Sequence, residues 1–255
     1  MVLDSFFNAV FGGLINYNIL FAVIIISFLI SLIMTFVYKW MTDQHLMKSL
    51  KEDIKNHQTE MKKHKDNPQK MLEIQKFAME KNMKYMMHSM KPTLITFIPI
   101  IIIFGWLSST LAYVPLYPTL EFSTTLTFEP GIIGNVELAA PKEIIVLDEQ
   151  VDGKYIKKIE NNQAAWKIKS NNAGEYVIDF KLGEKTYSKD ILITASQQYK
   201  TPIKVVNDKT LKTIKVNHQE LKILNLFGWK LGWLGTYILT SIFFSMGLRK
   251  LLKLH

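Results

Sequence analysis

The chain contains no cysteine and only one arginine, Arg249, among its 255 residues. The lack of cysteine excludes disulfide bonds, thiolate zinc sites, iron–sulfur clusters and a cysteine nucleophile. Thirty of the 31 basic residues are lysine, 22 residues are acidic, and the net charge is +9. No glycine occurs between Gly13 and Gly105, and no proline precedes Pro68. The part of the chain that lacks both residues therefore favours long helices.

Charge is missing from three apolar runs, at 19–38, 93–114 and 231–248. Each run has 18 to 22 residues, which is enough to cross roughly 30 Å of hydrocarbon at about 1.5 Å per residue. A buried core helix is the alternative for a run of this kind. We expect an α-helical membrane protein in which three transmembrane helices occupy 15–39, 92–114 and 226–248.

The lysines predict how these helices are oriented. Residues 39–91 carry twelve lysines against seven acidic residues, and the tail at 249–255 adds Arg249, Lys250 and Lys253. Basic residues that flank transmembrane helices stay on the cytoplasmic side. We therefore expect a multi-pass protein of the cell membrane with its N-terminus outside and its C-terminus in the cytoplasm.

The first fourteen residues lack the positive leader of a signal peptide. Their apolar residues instead recur at helical spacing: Leu3, Phe6, Phe7, Val10, Phe11 and Leu14. This spacing predicts an amphipathic helix at 1–14 that lies in the outer membrane interface. A frayed, apolar terminus is the alternative.

Residues 40–91 are expected to form a cytoplasmic antiparallel helical hairpin, with helices at about 40–65 and 68–91. The turn signal is Asn67-Pro68, with the proline placed to open the second helix. An apolar seam, typical of a coiled coil, runs along the first helix at spacings of three and four. It consists of Leu46, Leu50, Ile54, His57 and Met61.

Nine of the twelve methionines lie between residues 41 and 90. They could fill the core of the hairpin. Because methionine is flexible and polarizable, they could instead form an adaptable surface that accepts many apolar helices, with Met79, Met83, Met86 and Met90 along one stripe of the second helix. The neighbouring lysines could attract anionic lipid headgroups or ribosomal RNA, or simply be solvated.

Small hydroxyl residues cluster inside the apolar runs. They are Ser27, Ser31, Thr35, Thr93, Thr96, Thr236, Thr240, Ser241 and Ser245. A spacing of four places Ser27, Ser31 and Thr35 on one helix face. Such residues serve close helix packing, or they line a hydrated groove that is open toward the cytoplasm. The runs hold no deep ionisable residue, which argues against a proton-coupled transporter or an ion channel.

Residues 115–225 are expected to form an extracellular β-rich domain, a small antiparallel sandwich. Short β-prone runs alternate with turn signals, and the predicted strands are 143–147, 164–170, 175–182, 187–195 and 212–217. The Tyr176 region resembles the tyrosine corner of immunoglobulin-like folds, and Trp166 is expected in the core. No binding or catalytic site is predicted in this domain, whose single histidine is His218.

Three stretches of the sequence resemble the YidC/Oxa/Alb membrane-insertase superfamily, in its archaeal YidC-like branch, which is related to the insertase subunit of the ER membrane complex. They are MLEIQKFAMEKNMKYMMHSMKP at 71–92, FIPIIIIFGWL at 97–107 and GWKLGWLGTYILTSIFFSMGLRKLL at 228–252. The resemblance covers residues 15–113 and 226–252. The bacterial relatives have five core helices and a groove arginine in the first of them; this chain has three runs, and its first run offers only hydroxyls.

The resemblance implies a groove, open to cytoplasm and lipid, that receives short hydrophilic segments of nascent membrane proteins. It also implies that the hairpin captures substrates or meets the ribosome. We therefore expect a membrane insertase or chaperone whose partners are nascent membrane proteins, the translating ribosome and membrane lipids. Whether further subunits complete the groove is left open by the sequence. A membrane-anchored receptor whose sandwich binds a partner is the alternative. No enzyme motif and no metal or cofactor site is expected.

Overall fold

The computed structural model describes residues 2–64 and 66–254. It divides the chain into two compact units. The helical unit comprises Asn18–Trp106 and Trp233–His255, and the β unit comprises Met1–Tyr17 and Leu107–Gly232. The side chain of Leu3, which belongs to the predicted amphipathic pattern, lies outside what the structure describes.

Four helices build the helical unit: α2 at Ile19–Met41, α3 at Gln44–Lys63, α4 at Pro68–Leu111 and α5 at Trp233–Leu251. Three of these helices begin at an N-cap residue, whose side chain accepts hydrogen bonds from backbone N–H groups of the first turn. Asn18 caps α2 through the N–H of Phe21, and Asp43 caps α3 through two N–H groups. The side chain of Asn67 accepts from Lys70 N at 3.1 Å, and Pro68 opens α4, as the turn signal predicted.

The helices α2, α4 and α5 form one bundle. The pairs Ser31–Ser241 and Tyr38–Arg249 place α5 parallel to α2. Phe104 of α4 lies 5.6 Å from Trp233 and 4.8 Å from Tyr237, between ring centroids, at the start of α5. The start of the apolar part of α4 shares a cavity with the end of α5, so α4 runs antiparallel to both.

Within the described residues, α2 and α4 are long and apolar enough to cross a membrane, judged by length and composition. The third predicted span is the 19-residue helix α5, which ends in Arg249 and Lys250. It does not reach the same apolar standard, although it packs along α2.

The helices α3 and α4 fold back on each other as a hairpin. Met47 and Leu50 are buried on α3, and Ile74 and Ala78 are buried on α4. The ammonium of Lys81 lies 2.9 Å from the carboxylate of Asp53, and the rings of His57 and Phe77 stack. Of the predicted seam, Leu50 is buried, Leu46 is exposed, and the other three side chains are partly buried.

The helix α4 continues where the sequence predicted a boundary. The expected segments 68–91 and 92–114 form one α-helix of 44 residues with Pro92 and Pro99 inside it. A proline inside a helix removes one backbone donor, so Pro92 cannot make the helical hydrogen bond to the His88 carbonyl. The hydroxyl of Thr96 donates to the Pro92 carbonyl at 3.0 Å. The hairpin and the predicted second span are therefore parts of one continuous helix.

The β unit begins with the helix α1, Val2–Tyr17, which is longer than the predicted 1–14. Its strands are β1 Phe122–Phe128, β2 Asn135–Ala139, β3 Ile144–Val146, β4 Tyr155–Lys158, β5 Gln163–Ser170, β6 Gly174–Leu182, β7 Lys185–Ile193, β8 Ile203–Val205, β9 Leu211–Val216, β10 Leu224–Leu226 and β11 Trp229–Leu231. One sheet has the order β3-β5-β1-β9-β8, and a second has the order β4-β2-β6-β7. A separate hairpin pairs β10 with β11.

The two sheets share one hydrophobic core, as expected for a sandwich. Inward residues alternate with outward ones along β1 and β5. Trp166 on β5 is buried and contacts Phe180 on β6 at 5.5 Å between ring centroids, which confirms its predicted place in the core. The hydroxyl of Tyr176 donates to the Asn172 carbonyl at 3.2 Å, the local bond of a tyrosine corner.

The last turn of α4, from Leu107 onward, belongs to the β unit, where a loop holds it. The Gln197 amide donates to the carbonyls of Thr110 and Tyr113, both at 2.9 Å. The hydroxyl of Tyr199 donates to the Ser108 carbonyl at 2.7 Å and accepts from Ala112 N at 3.1 Å. Because the last carbonyls of a helix lack helical partners, these side chains cap the end of α4.

His218 lies beside this cap and makes the β unit sensitive to pH. Its Nδ1 is 2.9 Å from the Val114 carbonyl, and burial lowers the pKa of its imidazole, with a smaller contribution from Lys189. The unfolded chain therefore binds a proton more readily than the folded one. This contribution to stability is complete above a pH of about 6.5 and is lost as the pH falls through the lower pKa of the folded state.

We expect the full chain in detergent to unfold at lower denaturant concentration at pH 5.5 than at pH 7.5, when unfolding is followed by tryptophan fluorescence. The variant His218→Gln keeps a donor for the Val114 carbonyl but does not titrate, so its midpoint should change less over this range. Equal changes in both proteins would contradict the assignment to His218.

Candidate functional site

The hydroxyl residues of α2 lie on one face, as their spacing predicted, but that face is covered. Ser27, Ser31 and Thr35 are at most 4 % exposed, and Thr236 on α5 is fully buried. The Ser27 hydroxyl donates to the Val23 carbonyl at 2.7 Å. The Ser31 hydroxyl reaches the Ser241 carbonyl at 3.5 Å. The middle of the bundle therefore uses small hydroxyl residues for close packing of α2 against α5.

Farther along α5 the hydroxyl residues are less covered. Thr240, Ser241 and Ser245 are partly buried. Thr240 donates to the Thr236 carbonyl at 2.8 Å, and Ser241 donates to the Ile238 carbonyl at 3.0 Å. The polar face of α5 therefore opens toward its C-terminal end.

A small cavity lies at that end, among α2, α4 and α5. Its volume is about 70 Å³, which is room for a few water molecules. Polar groups that line it are Thr35, Tyr38, Thr93, Thr96, Ser245 and Arg249. We call this cavity the polar pocket. It brings together four of the nine predicted groove residues and leaves Ser27, Ser31, Thr236, Thr240 and Ser241 outside its lining.

The polar pocket contains the one arginine of the chain. The guanidinium carbon of Arg249 lies 4.9 Å from the ring centroid of Tyr38, a cation–π distance. The sequence did not single out this residue for the groove, because the family resemblance suggests an arginine in the first span, where this chain has only hydroxyls. The available signals were that Arg249 is unique among thirty lysines and lies four residues after Ser245.

The three threonine hydroxyls of the polar pocket direct their hydrogens into their own helices. Thr35 donates to the Ser31 carbonyl at 2.6 Å, and Thr93 donates to the Ser89 carbonyl at 3.1 Å. Thr96 donates to the carbonyls of Pro92 and Thr93. Oxygen lone pairs therefore remain to accept hydrogen bonds from amides, ammonium groups or water. The guanidinium supplies the complementary donors and a positive charge.

The described residues place no group of three or more histidine, aspartate or glutamate side chains where a metal ion could be held. The polar pocket itself combines hydroxyls with a guanidinium. This set can solvate and orient a polar chain segment.

The second candidate feature is the methionine face of the hairpin, which we define as Met79, Met83, Met86, Met87 and Met90 on α4. All five are between 47 and 64 % exposed. The buried seam of the hairpin is formed by other residues, with Met47 the fully buried methionine. The methionine face therefore lies outside the hairpin core. Met87 belongs to it, although the predicted stripe omitted that residue.

The methionine face continues along α4 into the apolar part of the helix. Leu94, Phe97, Ile98 and Ile101 follow Met90 at helical spacing, and each is more than half exposed. One exposed apolar surface therefore runs from the hairpin to the segment that can cross a membrane.

Comparison with known proteins gives one assignment. Residues 4–133, slightly more than half of the chain, match the family described as integral membrane protein EMC3/TMCO1-like. That match takes in α1 to α4 and the first strand of the sandwich. No curated protein and no solved structure gives a significant match. The family is part of the insertase-related superfamily that includes Oxa1, YidC and Alb3, and it is related to membrane protein insertion. The chain belongs to the EMC3/TMCO1-like family of integral membrane proteins.

Proposed function

We propose that this protein is a membrane insertase or chaperone that moves short hydrophilic segments of nascent membrane proteins into the bilayer through the polar pocket, and then releases their apolar helices into lipid. Its membership of an insertion-related family supports this function. The observation that carries the proposal is the polar pocket, where Arg249, Tyr38 and four serine and threonine residues of three helices meet.

The physical task is to lower the cost of bringing polar groups into hydrocarbon. A charged side chain at the centre of a bilayer costs on the order of 2.5–3.5 kcal/mol on insertion scales. A pocket of about 70 Å³ with polar walls cannot enclose a chain. It can hold water and polar partners at one end of the bundle, which shortens the distance that a polar segment must travel through lipid.

The pocket replaces the longer groove that the nine hydroxyl residues suggest. In the proposal, Thr35, Thr93, Thr96, Ser245 and Arg249 contact substrate or its water. Ser27, Ser31 and Thr236 hold the helices together, since they are buried between α2 and α5. Thr240 and Ser241 lie between these two regions of α5 and would meet substrate only as the helices separate.

In this proposal α2, α4 and α5 are three membrane spans with the N-terminus outside the cell membrane and the C-terminus in the cytoplasm. The basic residues Lys39, Arg249 and Lys250 lie at the same end of α2 and α5, next to the lysine-rich hairpin. The positive-inside rule assigns that end to the cytoplasm. The polar pocket then opens on the side where nascent chains emerge.

The methionine face supplies the capture step. Apolar segments need a partner before they reach lipid, and flexible methionine side chains adapt to different sequences. The exposed surface that joins Met90 to Ile101 offers such a segment a continuous route into the bilayer. The partners are nascent membrane proteins, with the ribosome near the hairpin and lipids around α4; no covalent chemistry and no cofactor is involved.

Crosslinking to a nascent chain tests the proposal. We expect a photoreactive residue at Ser245 or Thr93 to crosslink a ribosome-bound membrane protein during insertion. The control position is Phe243, two residues from Ser245 on α5 and 77 % exposed. If Ser245 and Thr93 crosslink only to lipid or to the neighbouring helices, the polar pocket does not receive substrate.

A further inference from the structure

The hairpin of β10 and β11 ends in an exposed aromatic tip. Phe227 is fully exposed and Trp229 is 74 % exposed, with Leu226 beside them. This hairpin pairs with neither sheet of the sandwich. Among the described residues it is therefore an apolar projection whose strands are ordered by their own pairing.

The backbone of the tip is unusual for an aromatic residue. Phe227 has a φ of 51° and Gly228 a φ of 94°, as the two central residues of a type I′ turn require. Asparagine or glycine fits the first of these positions without strain, whereas a bulky side chain does not. The side chain of Asn225 supports the turn by accepting from Gly228 N at 3.0 Å. A strained phenylalanine that contacts nothing in its own chain indicates a contact outside it.

The position of the β10–β11 hairpin in the chain bears on what the tip could contact. Leu221 N donates to the Ala112 carbonyl at 3.0 Å, directly after the end of α4 at Leu111. At the other side, only Gly232 separates the hairpin from Trp233, the first residue of α5. The β10–β11 hairpin is therefore close in the chain to α5, and the segment before it is hydrogen-bonded just after the end of α4. Both helices cross the membrane in the proposed function. Tryptophan and other aromatic residues prefer the lipid headgroup region at such ends.

We propose that the tip of this hairpin, Phe227 and Trp229, inserts into the headgroup region of the outer leaflet and fixes the entry of α5 into the bilayer. The occupant of the tip is phospholipid. Lys230 follows Trp229 at an exposed position, and its long side chain can bring the ammonium to lipid phosphate. The proposal rests on α5 being a span, as the proposed function states.

The lack of cysteine allows a direct test, because one introduced cysteine carries the only label. Phe227→Cys is labelled with nitrobenzoxadiazole, and the full chain is reconstituted in phosphatidylcholine vesicles with or without spin-labelled lipid. The matched control is Ile133→Cys, which replaces another exposed apolar residue. The segment that leads to the β10–β11 hairpin is bonded to Ser123 at the start of β1, whereas Ile133 follows the far end of that strand. We expect shallow spin-labelled lipid to quench the label at 227 at least twofold, and the label at 133 to be unaffected.

A label at Ile242, an exposed position on α5, separates the two proposals. Deep spin-labelled lipid should quench it. Failure at 242 would overturn the third span and this inference together. Quenching at 242 without quenching at 227 would overturn the proposal for the β10–β11 hairpin alone. A label at 227 whose emission is blue-shifted but not quenched would do the same, because protein and not lipid would then cover the tip.

A second variant tests the role of the aromatic side chain. Phe227→Asn creates the Asn-Gly pair that this turn prefers, so the hairpin should stay folded. A label at Trp229→Cys should lose at least half of its quenching by shallow lipid when Phe227→Asn is added. Unchanged quenching would show that the tip does not depend on Phe227.

Discussion

Reversal of the charge at Arg249 is expected to lower the insertion of a reporter with an acidic translocated segment by at least tenfold. Two unit charges about 4 Å apart interact by roughly 4 kcal/mol at the effective dielectric constant of a protein surface. A third of that energy, about 1.4 kcal/mol, already changes a rate tenfold. In Arg249→Glu, attraction between the polar pocket and an acidic segment becomes repulsion. When the acidic residues of the reporter are replaced by lysines, the Arg249→Glu variant should insert it no more slowly than the native protein does.

The neighbouring lysine supplies the control for this experiment. Lys250→Glu makes the same change in net charge one residue away, at a position that is exposed and outside the lining of the polar pocket. Insertion should fall much less. Arg249→Lys should lie between the two, because it keeps the charge but loses the planar group that stacks on Tyr38. Equal losses in Arg249→Glu and Lys250→Glu would contradict a specific role for the pocket arginine.

Replacement of the methionine face by glutamine is expected to reduce capture of an apolar nascent helix at least tenfold. Complete burial of one methionine side chain contributes about 1.5–3 kcal/mol, so partial burial of five side chains against substrate exceeds the about 1.4 kcal/mol needed. All five residues are exposed, and glutamine is nearly as good a helix former as methionine. The helical hairpin of α3 and α4 should therefore stay folded, which circular dichroism can verify.

Two comparisons give this result its meaning. Replacement of the same five methionines by leucine keeps the apolar surface, and capture should fall by less than about threefold. Met47→Gln should behave in the opposite way, since that side chain is fully buried: it should destabilise the hairpin. If the glutamine and leucine sets capture substrate equally well, the exposed methionines have another purpose.

The strands show how far the sequence could predict the fold. The five predicted strands correspond to β3, β5, β6, β7 and β9 within a few residues. The central strand β1 was missed, because its sequence FSTTLTF buries Thr124 among apolar residues and so hides the alternation. The strands β2, β4, β8, β10 and β11 were missed as well, because strands of three to five residues give little periodic signal. The strand β3 is equally short, but it was predicted from the apolar run EIIVL at 143–147.

The sequence predicted which types of residue form the site, but it did not predict which of them are buried by neighbouring helices. Helical spacing placed Ser27, Ser31 and Thr35 on one face, as the structure has them. Spacing cannot tell which neighbour covers that face, and packing against α5 seals Ser27 and Ser31. Arg249 joins Tyr38 and Thr93 from three different helices, so only the tertiary structure brings them together. The exposure of the methionines likewise depends on which face α3 covers.

The central claim is that the polar pocket receives the hydrophilic segment of a nascent chain. It is tested most directly by crosslinking from Ser245 to a series of stalled nascent chains of increasing length, whose hydrophilic segment and following apolar helix reach the membrane in turn. We expect the yield from Ser245 to peak while the hydrophilic segment is at the membrane and to fall when the apolar helix arrives. Phe243, on the exposed face of α5, should show the reverse order. A yield from Ser245 that is absent at every length, or that follows the apolar helix, would contradict it.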